Sequence, residues 1–210
     1  QELIVQFEDI TTLKTAEAAL TERALTDPVT GLPNRYAVTD RLAMALTRLV
    51  RRPGTVCVLF CDLDQFKQVN DAFGHEAGDE LLAAVGERLV AAVWPEDSVG
   101  RLGGDEFVVV CEGFDDPREA AALAARLQDG LRAPWWYAEH RFVPAASIGI
   151  AFTSDPATAP GDLLRQADLA MYRAKDSGRD RVEVYDRSLD DELAAAMEMQ
   201  ERLRAALAGD

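Results

Sequence analysis

Long apolar runs are missing from this chain of 210 residues: no stretch approaches the roughly 18 consecutive apolar residues of a membrane-spanning helix, and no signal-peptide pattern opens it. Histidine is nearly absent, with only His75 and His140. Cysteine stops at three, Cys57, Cys61 and Cys111, all in apolar, strand-like runs. An odd number in that setting reads as reduced core thiols of a cytoplasmic protein, not as a disulfide framework. A strand would set Cys57 and Cys61 on one face, as a metal pair requires, but so few histidines argue against zinc. Positive charge is the last shortage: 22 Lys and Arg face 37 Asp and Glu, a formal charge of −15. Such a surface does not track a nucleic-acid backbone, so no nucleic-acid partner is expected. A phosphorylated ligand would need neutralising locally, by a metal and one or two bases.

What is present is globular. Hydrophobic residues make up 48% and charged residues 28%, enough for one domain of roughly 150–200 residues with short flanks. The chain opens at Gln1 without a methionine and reads as a piece of something longer.

Along the chain, Leu3–Phe7 reads as a short strand running into a helix with Ile10, Leu13, Ala16, Leu20 and Ala24 on one stripe. The stretch Asp27 to Arg35 is a loop rich in turn residues. A helix over roughly Arg35–Val50 follows, and Thr55–Cys61 is the continuous apolar run of a strand buried on both faces. A polar turn over Asn70–Gly78 should lead into a helix from about Asp79 to Val93. Ser98–Leu102 and Glu106–Cys111 flank Gly103-Gly104 as a hairpin. Asp116, Pro117 and Glu119 cap a helix reaching about Leu131. Phe142–Phe152 reads as one long strand broken at Pro144, Gly161–Asp176 as a helix, Arg181–Tyr185 as a last strand and Asp190–Leu207 as a tail helix. The fold class expected is α/β: a mixed central sheet with helices on both faces.

The chemistry begins at Asp62, where a buried strand ends. Alone, it is equally a turn or cap residue. Asp105 and Glu106 sit just past a Gly-Gly turn, where missing side chains let a ligand approach the backbone. If the hairpin lies beside the Asp62 strand, three carboxylates meet at one rim and need a cation. Oxygen-only ligands select Mg²⁺ or Mn²⁺, and such a site can hold two ions for phosphoryl transfer.

Arg101-Leu102-Gly103-Gly104-Asp105-Glu106-Phe107 resembles the signature of the GGDEF family of diguanylate cyclases. The stretch Asp62 to Asp79 resembles its second signature, Asp27 to Arg35 its opening loop with Val29 in place of the usual Leu, and Ala167 to Lys175 its closing helix. Four signatures in order cover about residues 25–186. The resemblance implies two metal ions per site held by Asp62, Asp105 and Glu106 with the Leu63 carbonyl, and catalysis at Gly103, Gly104, Asp105 and Glu106. It implies phosphate contacts from the Phe66 and Lys67 backbone and from Lys175 and Arg179, and guanine recognition by Asn70 and Asp79. Lys175 and Arg179 also read as bases decorating a helix C-terminus, and Asp79 as a helix N-cap. A carboxylate accepting from both N1–H and the 2-amino group of guanine rejects adenine by about 10⁴-fold or more.

Where the family commonly carries an inhibitory Arg-x-x-Asp, this chain has Trp94-Pro95-Glu96-Asp97. Asp97 is retained, but Trp94 stands in the Arg position. An indole cannot make the bidentate contact of a guanidinium, so feedback by cyclic di-GMP should be weak or absent. The N-terminal stretch resembles the exit of a PAS sensor and the tail the lead-in to an EAL phosphodiesterase. The expected organisation is residues 1–26 sensor end and linker, 27–186 catalytic domain, 187–210 linker helix. The expected activity joins two GTP into cyclic di-GMP across a homodimer. The competing readings are a silent GTP-binding regulator of an attached phosphodiesterase and a structural dimerisation domain.

Overall fold

The computed structural model describes residues 24–114 and 117–189. The N-terminal strand and most of its helix, the Asp116 cap, the tail helix and the outer domain segments lie outside the described residues.

β1 (Val56–Leu63) is the centre, buried along all eight residues. It pairs antiparallel with β3 (Glu106–Glu112) on one side and with β6 (Ala146–Thr153) on the other. β2 (Ser98–Gly103) extends the sheet antiparallel beyond β3, and β7 (Val182–Val184) adds a parallel edge to β6, giving the order β2-β3-β1-β6-β7. Alternate β1 side chains go to opposite faces. Cys57, Leu59, Cys61 and Leu63 join α2 (Phe66–Ala92) and α3 (Pro117–Leu131) in one core. Val56, Val58 and Phe60 meet α1 (Arg35–Leu49) and α4 (Pro160–Asp176) in the other. Each fully buried Leu, Ile or Phe contributes about 1.5–3 kcal/mol of transfer free energy to this sandwich. The mixed sheet with helices on both faces is as the sequence led us to expect.

Two elements differ from the sequence reading. The polar stretch Asn70–Gly78 is not a turn: α2 begins at Phe66 and runs to Ala92, broken only at Gly74 (φ 86°, ψ 169°). Phe66, Val69 and Phe73 pack against the core at helical spacing, and this half-buried row outweighs the polar residues around it. Asp79 therefore lies inside the helix and caps nothing. The long strand expected over Phe142–Phe152 is two strands in two sheets. β5 (His140–Phe142) pairs with β4 (Trp135–Tyr137) in a small separate hairpin, and β6 starts only at Ala146. Pro144, which has no N–H for a ladder, falls between them. Aromatic packing holds the hairpin: Trp135 stacks on Tyr137 at 5.7 Å and Phe73 meets Phe142 edge-on at 5.0 Å.

α4 lies on β6 with backbone almost against backbone. A Cβ on Gly149 would sit 2.0 Å from the Ala167 carbonyl oxygen and 2.1 Å from the Met171 nitrogen, so only glycine lets the helix rest on the strand.

Candidate active site

The ladder between β1 and β3 ends with Asp62 opposite Glu106, and the Leu63 amide donates to the Asp105 carbonyl at 3.2 Å. β2 and β3 turn over at Gly103 (φ 136°) and Gly104 (φ 53°), after a register shift between Arg101 and Gly103. Neither backbone angle suits a side chain. The sheet thus delivers Asp62, Asp105, Glu106 and the glycine turn to one rim.

The electrostatics of that rim are those of carboxylates short of water. The Asp62 side chain is 7% exposed, and Lys175 Nζ stands 2.6 Å from its Oδ2. Burial pushes the Asp62 carboxyl up to about 6; Lys175 opposes this, while Asp105 and Asp64 add repulsion. Glu106 is also raised, by burial and then by Asp168, against the pull of Arg35. Arg35 Nη2 lies 3.5 Å from Glu106 Oε2. Asp168, on α4 two turns before Lys175, is raised by burial despite Lys175 and Arg35.

Arg101 ties the opening loop to the glycine turn. Its guanidinium donates to the Gly104 carbonyl from Nε at 3.0 Å and from Nη2 at 2.7 Å, and to Asp27 Oδ1 from Nη1 at 2.8 Å. Burial pushes the Asp27 carboxyl up, but Arg101 and the Thr30 amide and hydroxyl together hold it below its ordinary value. Asn34 then caps α1 by accepting from the Ala37 amide, while its own amide donates to the Ala24 carbonyl. This places Arg35 at the first helical position.

At the start of α2, Gln65 is left-handed (φ 63°) and Phe66 and Lys67 are the first helical residues. Amides in that position have no acceptor within the helix and favour an anion. Asn70 lies against Gly78, where an added Cβ would be 2.0 Å from Asn70 Oδ1 and 3.1 Å from Phe66 Cζ. That Oδ1 is buried with no hydrogen-bond partner in the structure. Asn70 is thereby set beside the residue preceding the exposed Asp79.

Trp94 stands 65% exposed, with the Arg126 guanidinium 5.7 Å from its ring centroid. The half-buried Asp97 accepts from the Trp94 amide at 3.0 Å, and its charge adds to the burial that raises the Cys111 thiol.

The structure therefore brings together Asp62, Asp105, Glu106, Gly103, Gly104 and Lys175. It groups Phe66 and Asn70 beside Gly78, and leaves Lys67, Asp79 and Arg179 exposed. Among the described residues no three His, Cys, Asp or Glu side chains form a ready metal cluster. Lys175 and Arg35 lie on the carboxylates instead. Buried carboxylates with raised proton affinity nonetheless fit a divalent cation as a donor set. Sequence reasoning assigned no role to Arg35 or Asp168. The seven-residue spacing of Asp168 and Lys175, one face of one helix, was the available signal.

Residues 24–181 match the family described as "Diguanylate cyclase, GGDEF domain". The chain is 41% identical over 197 residues to the bifunctional diguanylate cyclase/cyclic di-GMP phosphodiesterase MucR of Pseudomonas aeruginosa, covering 94% of this chain and 29% of that protein. It is 34% identical over 208 residues to the cyclic di-GMP phosphodiesterase PdeR of Escherichia coli, covering 99% and 31%. The chain thus spans about three tenths of the length of these relatives. Among solved structures, the isolated GGDEF domain of YfiN from Pseudomonas aeruginosa superposes with a TM-score of 0.74 at 33% identity, over 80% of this chain and 99% of that one. Among the described residues, no helix is long and apolar enough to cross a membrane.

Proposed function

The chain belongs to the GGDEF family of diguanylate cyclase domains, and from that premise we propose that it condenses two GTP molecules into cyclic di-GMP and two pyrophosphates. The observation that carries this reading is the placing of Asp62 opposite Glu106, next to Asp105 and the Gly103-Gly104 turn, at one rim of the sheet. Each domain holds one GTP, and two domains face each other as a homodimer. The 3′-hydroxyl of one GTP forms a bond to the α-phosphorus of the other as the bond to pyrophosphate breaks. The Asp105–Glu106 pair takes the hydroxyl proton, a role supported by the raised proton affinity that burial gives Glu106. Lys175 and Arg179 neutralise the departing β- and γ-phosphates, and the first amides of α2, at Phe66 and Lys67, hold phosphate oxygens. Asn70 and Asp79 read the guanine edge, a reading supported by a buried Asn70 oxygen that has no hydrogen-bond partner within the protein. Asp62, Asp105, Glu106 and the Leu63 carbonyl would hold two Mg²⁺ or Mn²⁺ ions, which would supply charge neutralisation for phosphoryl transfer. The engagement of Asp97 by the Trp94 amide and the exposed indole of Trp94 support weak or absent feedback by cyclic di-GMP.

A second reading is favoured by one observation: a relative matched over nearly the whole chain is named a phosphodiesterase. In it the domain binds GTP without turnover and regulates an attached phosphodiesterase. Concentrated protein incubated with GTP and Mg²⁺, followed by nucleotide chromatography, separates the two. Cyclic di-GMP from the parent and none from Asp105→Ala supports the cyclase. GTP-dependent thermal stabilisation without product, even when a dimeric coiled coil is fused to the N-terminus, supports the regulator.

A further inference from the structure

The turn that follows α4 asks for an explanation the helix itself does not supply. Gly178 (φ 117°) ends the helix in the usual left-handed manner. The chain then keeps positive φ for two more residues that are not glycine, Arg179 (62°) and Asp180 (46°). A helix stop needs one such residue, not three in succession, and non-glycine residues persist there only where their surroundings fix them.

What fixes them comes from the residue just past β1, Asp64. Asp64 Oδ2 accepts the Asp180 amide at 2.9 Å, and its Oδ1 accepts the hydroxyl of the fully buried Ser147 at 2.8 Å. The backbone of Asp64 is itself anchored, its amide donating to the Ala145 carbonyl at 2.9 Å. From the other side Arg132 Nη2 donates to Asp180 Oδ2 at 2.9 Å, and the Ile148 amide donates to the Arg181 carbonyl at 2.9 Å. Asp180 is gripped at both its amide and its carboxylate.

We propose that Asp64 is a positioning residue, whose carboxylate clamps the left-handed turn 178–180 to the end of β1 and so presents Arg179 to the nucleotide phosphates. This rests on the proposed GTP site. It separates two carboxylates two positions apart on one chain: Asp62 faces the site, and Asp64 holds the backbone that carries a base into it. Both of Asp64's roles need only an oxygen acceptor toward Asp180 and any hydrogen-bonding atom toward Ser147, whose hydroxyl can reverse its direction. Asparagine meets both requirements; alanine meets neither.

The test compares Asp64→Asn and Asp64→Ala with the parent, using calorimetric titration with the α,β-methylene analogue of GTP and with GMP, and amide exchange at Asp180. Asp64→Ala should weaken the triphosphate analogue about tenfold and GMP less than about twofold, whereas Asp64→Asn stays within about twofold for both. The Asp180 amide should lose protection in the Ala variant and keep it in the Asn variant. In an Arg179→Ala background, adding Asp64→Ala should cost less than about twofold more. Ser147→Ala, which removes one arm of the clamp, should give a smaller loss of the same kind if Asp64→Ala does not fold. The proposal is overturned if Asn is as damaging as Ala, if GMP suffers as much as the triphosphate, or if Asp180 protection does not change. A parent that binds neither nucleotide refutes the GTP reading and with it the phosphate role, while amide exchange still decides whether the clamp exists.

Discussion

The two ends of the central strand pair share one physical circumstance, loss of water, and answer it oppositely. At the far end Cys57 faces Cys111 across the ladder, and burial pushes the Cys57 thiol up to about 12 and Cys111 further still. For a thiol this strengthens the neutral form it already prefers, so that end is inert and its ion pair, Arg48 with Glu112, is left to the surface. At the rim, burial acts on carboxylates, whose ordinary form at neutral pH is charged. There it pushes Asp62 up to about 6, and Lys175, Arg35 and Arg101 are drawn in around the acids. The same burial that silences one end leaves the other an unfinished charge arrangement suited to a phosphorylated ligand and cations.

The comparison breaks most readily at Arg101, which is 8% exposed and bridges Asp27 to the glycine turn. Arg101→Ala should destabilise the domain by about 2–3 kcal/mol in chemical denaturation, because it removes the guanidinium from a part-buried carboxylate and from the Gly104 carbonyl. Arg101→Lys should recover little, having no planar fork. A loss below about 1 kcal/mol would put the two ends on an equal footing.

Next comes Asp62. Its folded-state value lies above the unfolded one, so the folded state holds the extra proton in between. Its contribution to stability is therefore neutral below about pH 4, becomes unfavourable as pH rises toward about 6, and stays unfavourable above. Asp62→Asn should flatten the pH 4–6 slope relative to the parent and add about 1–2 kcal/mol at pH 7. A variant less stable than the parent at pH 7 would mean that the Lys175 pair outweighs burial.

At the far end, Arg48→Ala should cost less than about 1 kcal/mol, since Arg48 is 55% and Glu112 38% exposed. Smallest of all, the three buried thiols should not react with a maleimide until the protein is unfolded. Rapid native-state labelling would show that the far end opens.

Much of this was legible in residue order. The unbroken apolar run into Asp62 announced a strand covered on both faces, and Gly103-Gly104 between two apolar runs announced the hairpin. Their adjacency, which makes the rim, followed from no local pattern and had to be assumed. The start of α2 was hidden because Asn70, Asp71, Gly74 and Gly78 carry turn propensities that the half-buried row Phe66, Val69 and Phe73 overrides. The β4–β5 hairpin was hidden for the opposite reason: it turns at Ala138 (φ 51°) and Glu139, where no glycine or asparagine advertises it. Arg35 and Asp168 went unassigned because their meaning lies in the charges they approach across elements.

The bare face of Gly149 makes length, not composition, the quantity that α4 must conserve. With Ala167 and Met171 seated directly on the strand, the helix has no slack to slide or turn. Eight residues, about 12 Å of helix, lead from Ala167 to Lys175. One residue inserted in that interval would swing the ammonium about 100° around the axis and away from Asp62. A variant screen of this segment should therefore forgive many exchanges on its outer surface and no change in count.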